Sequence, residues 1–133
     1  MTRTTFRFRV HGERLAIARL DHTAEIPAWA RGGFVNIART VDELSIVCAQ
    51  THVPRDVVQE RDKIALGIEG TVPMTTVGIL ASLCSALAEA NVPVFAISTY
   101  DTDWLLVSTD RFEAARTALT GLGHVVAGDP PRT

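Results

Sequence analysis

Apolar residues recur at intervals of three or four between residues 76 and 90, which is the spacing of one face of an amphipathic helix. The apolar positions are Val77, Leu80, Leu83, Cys84 and Leu87. Thr75 or Thr76 can cap such a helix by accepting a hydrogen bond from an exposed backbone N–H. Asn91 suits a left-handed stop, and Pro93 prevents continuation. The pattern therefore predicts one main helix over residues 76–90.

Runs of β-prone residues flank this helix, and a second helical pattern follows them. The runs cover residues 63–69, 94–98, 104–108 and 124–126. Gly67 interrupts the first run, which indicates a close approach of another group to the backbone. Phe112, Ala115 and Leu119 share one helical face over residues 110–119. The order strand, helix, strand, strand, helix, strand is that of the ferredoxin-like βαββαβ unit.

The first half of the chain shows a weaker version of the same order. Strands are predicted at residues 6–10, 15–20, 34–39 and 44–49. The first two can form a hairpin about a turn at residues 11–13, and the last two form one about residues 40–43. Pro54 can open a short helix over residues 54–60. The first half therefore has the same plan with short helices.

A chain of 133 residues can bury one core, or two small cores that share an interface. The patterns predict an α+β fold of two ferredoxin-like subdomains packed side by side, the first degenerate with short helices. We assign residues 1–62 to the N-terminal subdomain and residues 63–128 to the C-terminal one. Residues 129–133 are predicted to be a disordered tail.

Composition excludes several classes of partner. Thirteen basic and fifteen acidic residues give a formal charge of -2, and neither sign forms a block, so we expect no nucleic-acid partner. No apolar run approaches the length that spans a bilayer, so we expect no membrane partner. The N-terminus lacks the uninterrupted apolar segment of a signal peptide. We therefore expect a cytoplasmic protein.

The residues that usually carry metal or catalytic chemistry are scattered. Cys48 and Cys84 are isolated and have apolar neighbours, so we expect small buried hydrophobic residues and no disulfide. The four histidines do not have metal-ligand spacing, and no nucleophile or phosphate-binding motif is present. We predict no metal, no cofactor and no catalytic residue.

The polar residues at two ends of the predicted C-terminal unit point to a ligand site. The start of the main helix and the end of the strand that follows it lie at the same edge of the sheet. A helix N-terminus favours a carboxylate or phosphate, and Gly78 in its first turn lets a ligand approach the backbone. Asp101 and Asp103 offer acceptors for an ammonium or guanidinium group. Together these groups match an α-amino acid zwitterion.

Two other interpretations of the same residues stay open. Thr75 and Thr76 are ordinary capping residues, and the polar segment 98–103 has the composition of an ordinary turn. Asp101 and Asp103 can also be considered as an acid/base pair of a small enzyme, although their sequence context does not indicate a raised pKa.

Several segments resemble the ACT-domain family. VGIL at residues 77–80, followed by LAEANVPV at 87–94, is similar to the central signature of ACT domains. AISTYDTDWLLV at 96–107 resembles the branch that includes the arginine sensor CASTOR and the regulatory domains of aspartate kinases. GFVNIART at 33–40 and DELSIV at 42–47 resemble the first-half hairpin of that branch. The resemblance covers roughly residues 15–126.

This resemblance implies tandem ACT domains that bind a small ligand, usually an amino acid, at a junction between domains and often dimerise. It places the ligand contacts on Thr75, Thr76, Val77, Gly78, Ile97, Ser98, Thr99, Tyr100, Asp101 and Asp103. Asp103 matches a position at which this branch tends to keep an acid, whereas Met74, Thr75 and Thr76 replace an acidic residue that many ACT domains carry. We expect a non-catalytic, amino-acid-binding regulatory homodimer. The alternative is a protein-interaction module with a vestigial pocket.

Overall fold

The computed structural model describes residues 4–73 and 76–132, which divide into two compact units. One unit combines the N-terminal residues up to His11 with Ile64–Pro130, and the other contains Gly12–Lys63 and the residues from Pro131 onward. The main segment of the second unit ends at Lys63, and the sequence analysis places the boundary between subdomains after residue 62. The sequence assigns all of residues 1–62 to the first subdomain, whereas the structure places the first strand with the C-terminal unit.

The described residues form eight strands and two α-helices. In chain order they are β1 (Arg7–Val10), β2 (Leu15–Leu20), β3 (Asn36–Arg39), β4 (Leu44–Ala49), β5 (Val58–Ile68), α1 (Ile79–Glu89), β6 (Phe95–Ser98), β7 (Asp103–Ser108), α2 (Phe112–Gly121) and β8 (Val125–Ala127). Short 3₁₀ helices cover Gln50–His52 and Thr109–Arg111. The predicted α+β fold is confirmed.

The C-terminal unit has the strand order β6–β7–β5–β1–β8. Its elements β5, α1, β6, β7, α2 and β8 follow one another in the predicted βαββαβ order. Strand β1 is an additional strand between β5 and β8. Phe8 at its centre pairs with Ile68 of β5 in the antiparallel sense and with Val126 of β8 in the parallel sense.

Helix α2 buries the face that the sequence predicts, and α1 buries only part of its predicted face, since Val77 precedes the helix and is 92% exposed. Leu83 and Leu87 of α1 are buried, as are Phe112, Ala115 and Leu119 of α2. They share one core with Phe8 and with the inward-facing residues of β5 and β7. This core fixes the first turn of α1 relative to the ends of β6 and β7.

The N-terminal unit has the strand order β3–β4–β2–β5. The β3–β4 hairpin is confirmed, because Asn36 pairs with Val47 and the Thr40 N–H donates to the Glu43 carbonyl at 2.9 Å. The predicted hairpin of β1 and β2 is wrong. Strand β2 pairs with β4 and β5, whereas β1 pairs with β5 and β8. Burial of β2 residues against β4 and of Phe8 in the C-terminal core stabilises the chain more than a hairpin between β1 and β2 would.

The predicted helix over residues 54–60 is also wrong. The Val57 N–H donates to the Pro54 carbonyl at 3.2 Å in a single turn, and β5 begins at Val58. Gln59 and Val58 then pair with β2. Pairing with a neighbouring strand satisfies the backbone here, and a helix of two turns is marginal without it. Among the described residues of this unit, helical structure is limited to the 3₁₀ turn Gln50–His52.

Residues 129–132 belong to the segment that the sequence assigns to a disordered tail. In the structure, Arg14 Nε donates to the Pro131 carbonyl at 2.9 Å. Arg116 Nη2 lies 3.8 Å from Asp129 Oδ1. The Asp129 carboxylate is exposed, so this ion pair contributes little to stability.

Candidate functional site

A cavity of about 310 Å³ lies between the first turn of α1 and the turn that joins β6 to β7. The helix side contributes Thr76, Gly78, Ile79, Leu80 and Ala81. The turn side contributes Ser98, Thr99, Tyr100, Thr102 and Asp103, and Val72 and Pro73 complete the wall. The structure therefore brings together the two polar segments that the sequence places at one edge of the sheet.

Gly78 occupies the N-cap position of α1, where it adopts a left-handed conformation with φ of +83°. A residue without a side chain adopts this conformation without strain, so the helix begins after Gly78. The Gly78 carbonyl accepts the first intrahelical hydrogen bond, from Ser82 N–H at 3.0 Å. Gly78 has no side chain to cap the helix, and the structure shows no side-chain cap at this end. The amides of the first turn therefore remain available as donors beside the cavity.

The predicted role of Thr76 as the helix cap is wrong, since Gly78 occupies that position. Thr76 lies in the preceding loop, where its N–H donates to the Pro73 carbonyl at 3.0 Å. Thr75, the other predicted cap and ligand residue, lies outside the described residues. The helix starts later than the apolar pattern indicates because the left-handed Gly78 interrupts the α-helical backbone.

The opposite wall is a turn held by several hydrogen bonds. The Thr99 N–H donates to the Thr102 carbonyl at 2.8 Å, and the Thr102 N–H returns to Thr99 Oγ1 at 3.3 Å. Thr102 Oγ1 donates to the Ile68 carbonyl at 3.0 Å, and the Val72 N–H donates to the Asp101 carbonyl at 2.6 Å. These contacts attach the turn to the end of β5 and hold the cavity wall in place.

Asp103 is the acidic residue among the described residues that line this cavity. It is partly buried at the start of β7 and pairs in register with Ser98 of β6. Ser98 Oγ donates to Asp103 Oδ1 at 2.6 Å, which orients the carboxylate. A carboxylate with further acceptor capacity thus shares the cavity with the donors of the α1 start.

Six of the predicted site residues line the cavity, and the other four lie elsewhere. The six are Thr76, Gly78, Ser98, Thr99, Tyr100 and Asp103. Ile97 is buried in β6, and Val77, which is 92% exposed, lines a neighbouring cavity. Asp101 lines a third cavity, together with Arg9 and Trp104, and Thr75 is not described.

Sequence reasoning did not select the other six residues that line the cavity, which are Val72, Pro73, Ile79, Leu80, Ala81 and Thr102. Thr102 lies within the predicted turn, so its polar side chain was a usable signal. Val72 and Pro73 have no polar side chain, and only the path of the chain after β5 brings them to the cavity.

The described residues contain no group of three or more histidine, cysteine or acidic side chains that can hold a metal ion. They also contain no helix that is long and apolar enough to cross a membrane.

Fold and cavity together define an α+β domain of the ferredoxin-like class with a polar cavity at the start of its first helix. The family model of the ACT domain matches residues 58–121, and a model of an N-terminal domain matches residues 13–56. The chain therefore contains an ACT domain, which confirms the resemblance found in the sequence. No curated protein sequence matches the chain significantly.

Solved structures extend this similarity over the whole chain. A protein from Agobacterium tumefaciens is 33% identical with a TM-score of 0.90, over 98% of this chain and 99% of that one. A Vibrio cholerae protein of unknown function, described as a possible transport protein, is 15% identical with a TM-score of 0.69, over 89% and 90% of the two chains.

The ligand-free regulatory subunit of aspartate kinase from Thermus thermophilus is also similar. It is 15% identical with a TM-score of 0.62, over 86% of this chain and 95% of that one. This chain therefore shares the fold of the aspartate-kinase regulatory branch.

Proposed function

We propose that this protein is a non-catalytic regulatory module that binds an α-amino acid in the cavity between α1 and the β6–β7 turn. One observation carries the proposal. The uncapped start of α1 and the carboxylate of Asp103 line the same cavity of about 310 Å³.

The two walls have complementary preferences for the two charges of a zwitterion. The amides at the start of α1 favour the ligand carboxylate, because they are donors at the positive end of the helix dipole. Asp103 accepts from the ligand ammonium group, and the hydrogen bond from Ser98 holds it in position. Val72, Pro73 and Leu80 supply apolar surface for the ligand side chain.

The match to the ACT-domain family model supports a regulatory role, and so does the shared fold with an aspartate-kinase regulatory subunit. The described lining residues of the cavity include a single carboxylate and no histidine or cysteine, so they offer neither a carboxylate pair nor a thiol nucleophile. A cytoplasmic location, where free amino acids are abundant, is part of this proposal.

Isothermal titration calorimetry of the full chain against the standard amino acids tests the proposal. We expect saturable binding of at least one of them. Asp103→Asn should weaken that binding by roughly tenfold or more, because it removes the charge that pairs with the ammonium group. Asp110→Asn is the matched control, since Asp110 is an exposed acid on the same unit that lines none of the three cavities.

The variant Asp101→Asn distinguishes the roles of Asp101 and Asp103, the two acidic residues that the sequence predicts as ligand contacts. Asp101 lines a different cavity, so its substitution should leave affinity close to that of the Asp110 variant. The proposal fails if no amino acid binds the folded chain, or if all three variants bind equally.

The alternative is an oligomerisation module that does not respond to amino acids. Among the described residues, β3 and β6 each pair along one side, and each exposes an apolar side chain, Ile37 and Phe95, at 38%. Open strand edges of this kind can pair with a second copy or another protein. We propose a homodimer under both functions, so light scattering after size exclusion should give twice the mass of the chain. A dimer without any amino-acid binding favours the alternative.

A further inference from the structure

The sheet of the C-terminal unit has an outer face, opposite α1 and α2, and a groove of about 400 Å³ lies on this face. We call it the outer groove. It is lined by Arg9, Gly67, Ile68, Glu69, Gly70, Asp101, Thr102 and Trp104. All of these residues belong to the C-terminal unit. Neither the amino-acid proposal nor the family match gives the outer groove a function.

Strand register places the Arg9 side chain on the outer face. Phe8 is buried in the core that it shares with both helices, so the next residue of β1 points to the opposite face of the sheet. Arg9 pairs in register with Gly67 of β5, and residues paired across two strands share a face. The guanidinium group therefore stands on the same face as the missing side chain of Gly67.

The Trp104 ring lies flat on Gly67. Its atoms Cε3, Cζ3 and Cη2 would all lie 2.5 to 2.7 Å from a Cβ at Gly67. Three adjacent ring atoms at nearly equal distances mean that Gly67 meets the face of the ring and not its edge. The opposite face of the ring therefore points away from the sheet, beside Arg9.

The outer groove carries charges of opposite sign on its two sides. Arg9 lies on β1, on one side of β5, and Asp101 lies in the β6–β7 turn on the other side. Both residues are exposed. Among the described residues, neither the Arg9 guanidinium nor the Asp101 carboxylate forms a hydrogen bond or an ion pair, whereas Glu69 Oε2 lies 3.3 Å from Arg7 Nε. One cation and one anion of the groove are thus left without a partner.

This arrangement suits a protein surface better than a small molecule. Small-molecule pockets enclose most of the ligand, whereas Arg9, Glu69, Gly70 and Asp101 are all exposed here. A cation and an anion on opposite sides of one groove are also self-complementary. A two-fold axis through the groove brings Arg9 of each copy to Asp101 of the other, because symmetric dimers use the same surface twice.

We propose that the outer groove is the surface through which two copies of this chain form the homodimer. Arg9 of each copy pairs with Asp101 of the other, and the outer faces of the two Trp104 rings supply apolar contact between the ion pairs. The inference rests on the proposed homodimer and assigns its interface to this face and not to the open edges of β3 or β6.

Exchange of the two charges tests this interface, with the dimer dissociation constant of the full chain measured by sedimentation equilibrium. Arg9→Asp and Asp101→Arg should each raise that constant by roughly tenfold or more, because each places like charges together in both ion pairs. The double variant restores opposite charges and should return the constant to within about threefold of the unmodified chain.

Arg111→Asp is the matched control for the loss of a positive charge. Arg111 is an exposed arginine of the same unit that lines none of the three cavities, so its substitution should leave the dissociation constant unchanged. Circular dichroism of each variant checks that the chain remains folded.

The outcomes separate this inference from the proposals on which it rests. A dimer that both single variants leave intact, or that the double variant does not restore, overturns the assigned surface and leaves the homodimer in place. A chain that is monomeric at every concentration overturns both. Amino-acid binding in the cavity that contains Asp103 is measured independently by calorimetry, so its failure is distinguishable from either result.

Discussion

At the scale of single residues, Gly67 shows how a contact across the sheet determines one position. Its backbone lies under the Trp104 ring, and a Cβ built at Gly67 would lie 2.5 Å from Trp104 Cζ3. The sequence predicted a close backbone approach at Gly67, but the group that approaches is a residue 37 positions away, and only the pairing of β5 with β7 identifies it.

Gly67→Ala should therefore destabilise the protein by about 1–3 kcal/mol, because the ring or the strand must move. Urea unfolding followed by circular dichroism measures the change. Gly121→Ala is the control, since a Cβ at Gly121 meets nothing within 4 Å. Equal stabilities of the two variants would contradict the packing described here.

His124 makes stability depend on pH. Its pKa is lowered in the folded chain by burial, so the unfolded chain binds more protons wherever the two states differ. The contribution of neutral His124 to the free energy of unfolding is complete above the unfolded-state pKa of about 6.5. It is lost as the pH falls from there through the lowered pKa of His124 in the folded chain. Protonation of Nδ1 also removes the acceptor of the Phe6 N–H.

Urea midpoints at about pH 7.5 and about pH 5.5 should differ, with lower stability at the acid value. His124→Gln should reduce this difference, whereas a change of the exposed His22 to Gln should retain it. A pH dependence that is the same in both variants would show that other groups cause it.

At the scale of elements, β1 is required by the C-terminal unit although the chain places it at the far end. It lies between β5 and β8, and its Phe8 is fully buried in the core formed with α1 and α2. A fragment of residues 63–128, the subdomain that the sequence suggests, lacks both the strand and this side chain. Both β5 and β8 then expose an unpaired edge.

We expect that fragment to be unfolded or aggregated, with few dispersed amide resonances in its NMR spectrum. Addition of a synthetic peptide of residues 1–12 should restore dispersion, and the same peptide with Phe8→Asp should not. A fragment that folds without the peptide would contradict the role assigned to β1.

The helix predictions succeed for α1 and α2 and fail for residues 54–60 for a physical reason. For α1 and α2, periodic apolar residues over about three turns predicted the buried positions within each helix, because each helix satisfies its own backbone. The exception is Val77, which precedes α1 and is exposed. The segment 54–60 has too few residues for a stable helix, and pairing with β2 makes it the start of β5 instead.

At the scale of the whole molecule, the sequence places Thr76, Gly78 and Asp103 at one edge, and the structure brings these three into one cavity. The prediction and the structure agree because a helix and the strand that follows it run in opposite directions. The start of the helix and the end of the strand therefore lie at the same edge of the sheet. Asp101, two residues from Asp103, lines a different cavity. The conformation of the turn separates the two acids, and neighbouring positions in a sequence do not specify that conformation.

The sequence by itself determined the fold class, the helical faces, the β3–β4 hairpin and the chemistry available at the start of α1. All of these depend on residues close together in the chain. The tertiary structure alone decided that β1 belongs with the C-terminal unit and that the buried His124 accepts a hydrogen bond from the Phe6 N–H. These features depend on contacts between residues more than fifty positions apart, which the burial of a shared core selects and local patterns do not encode.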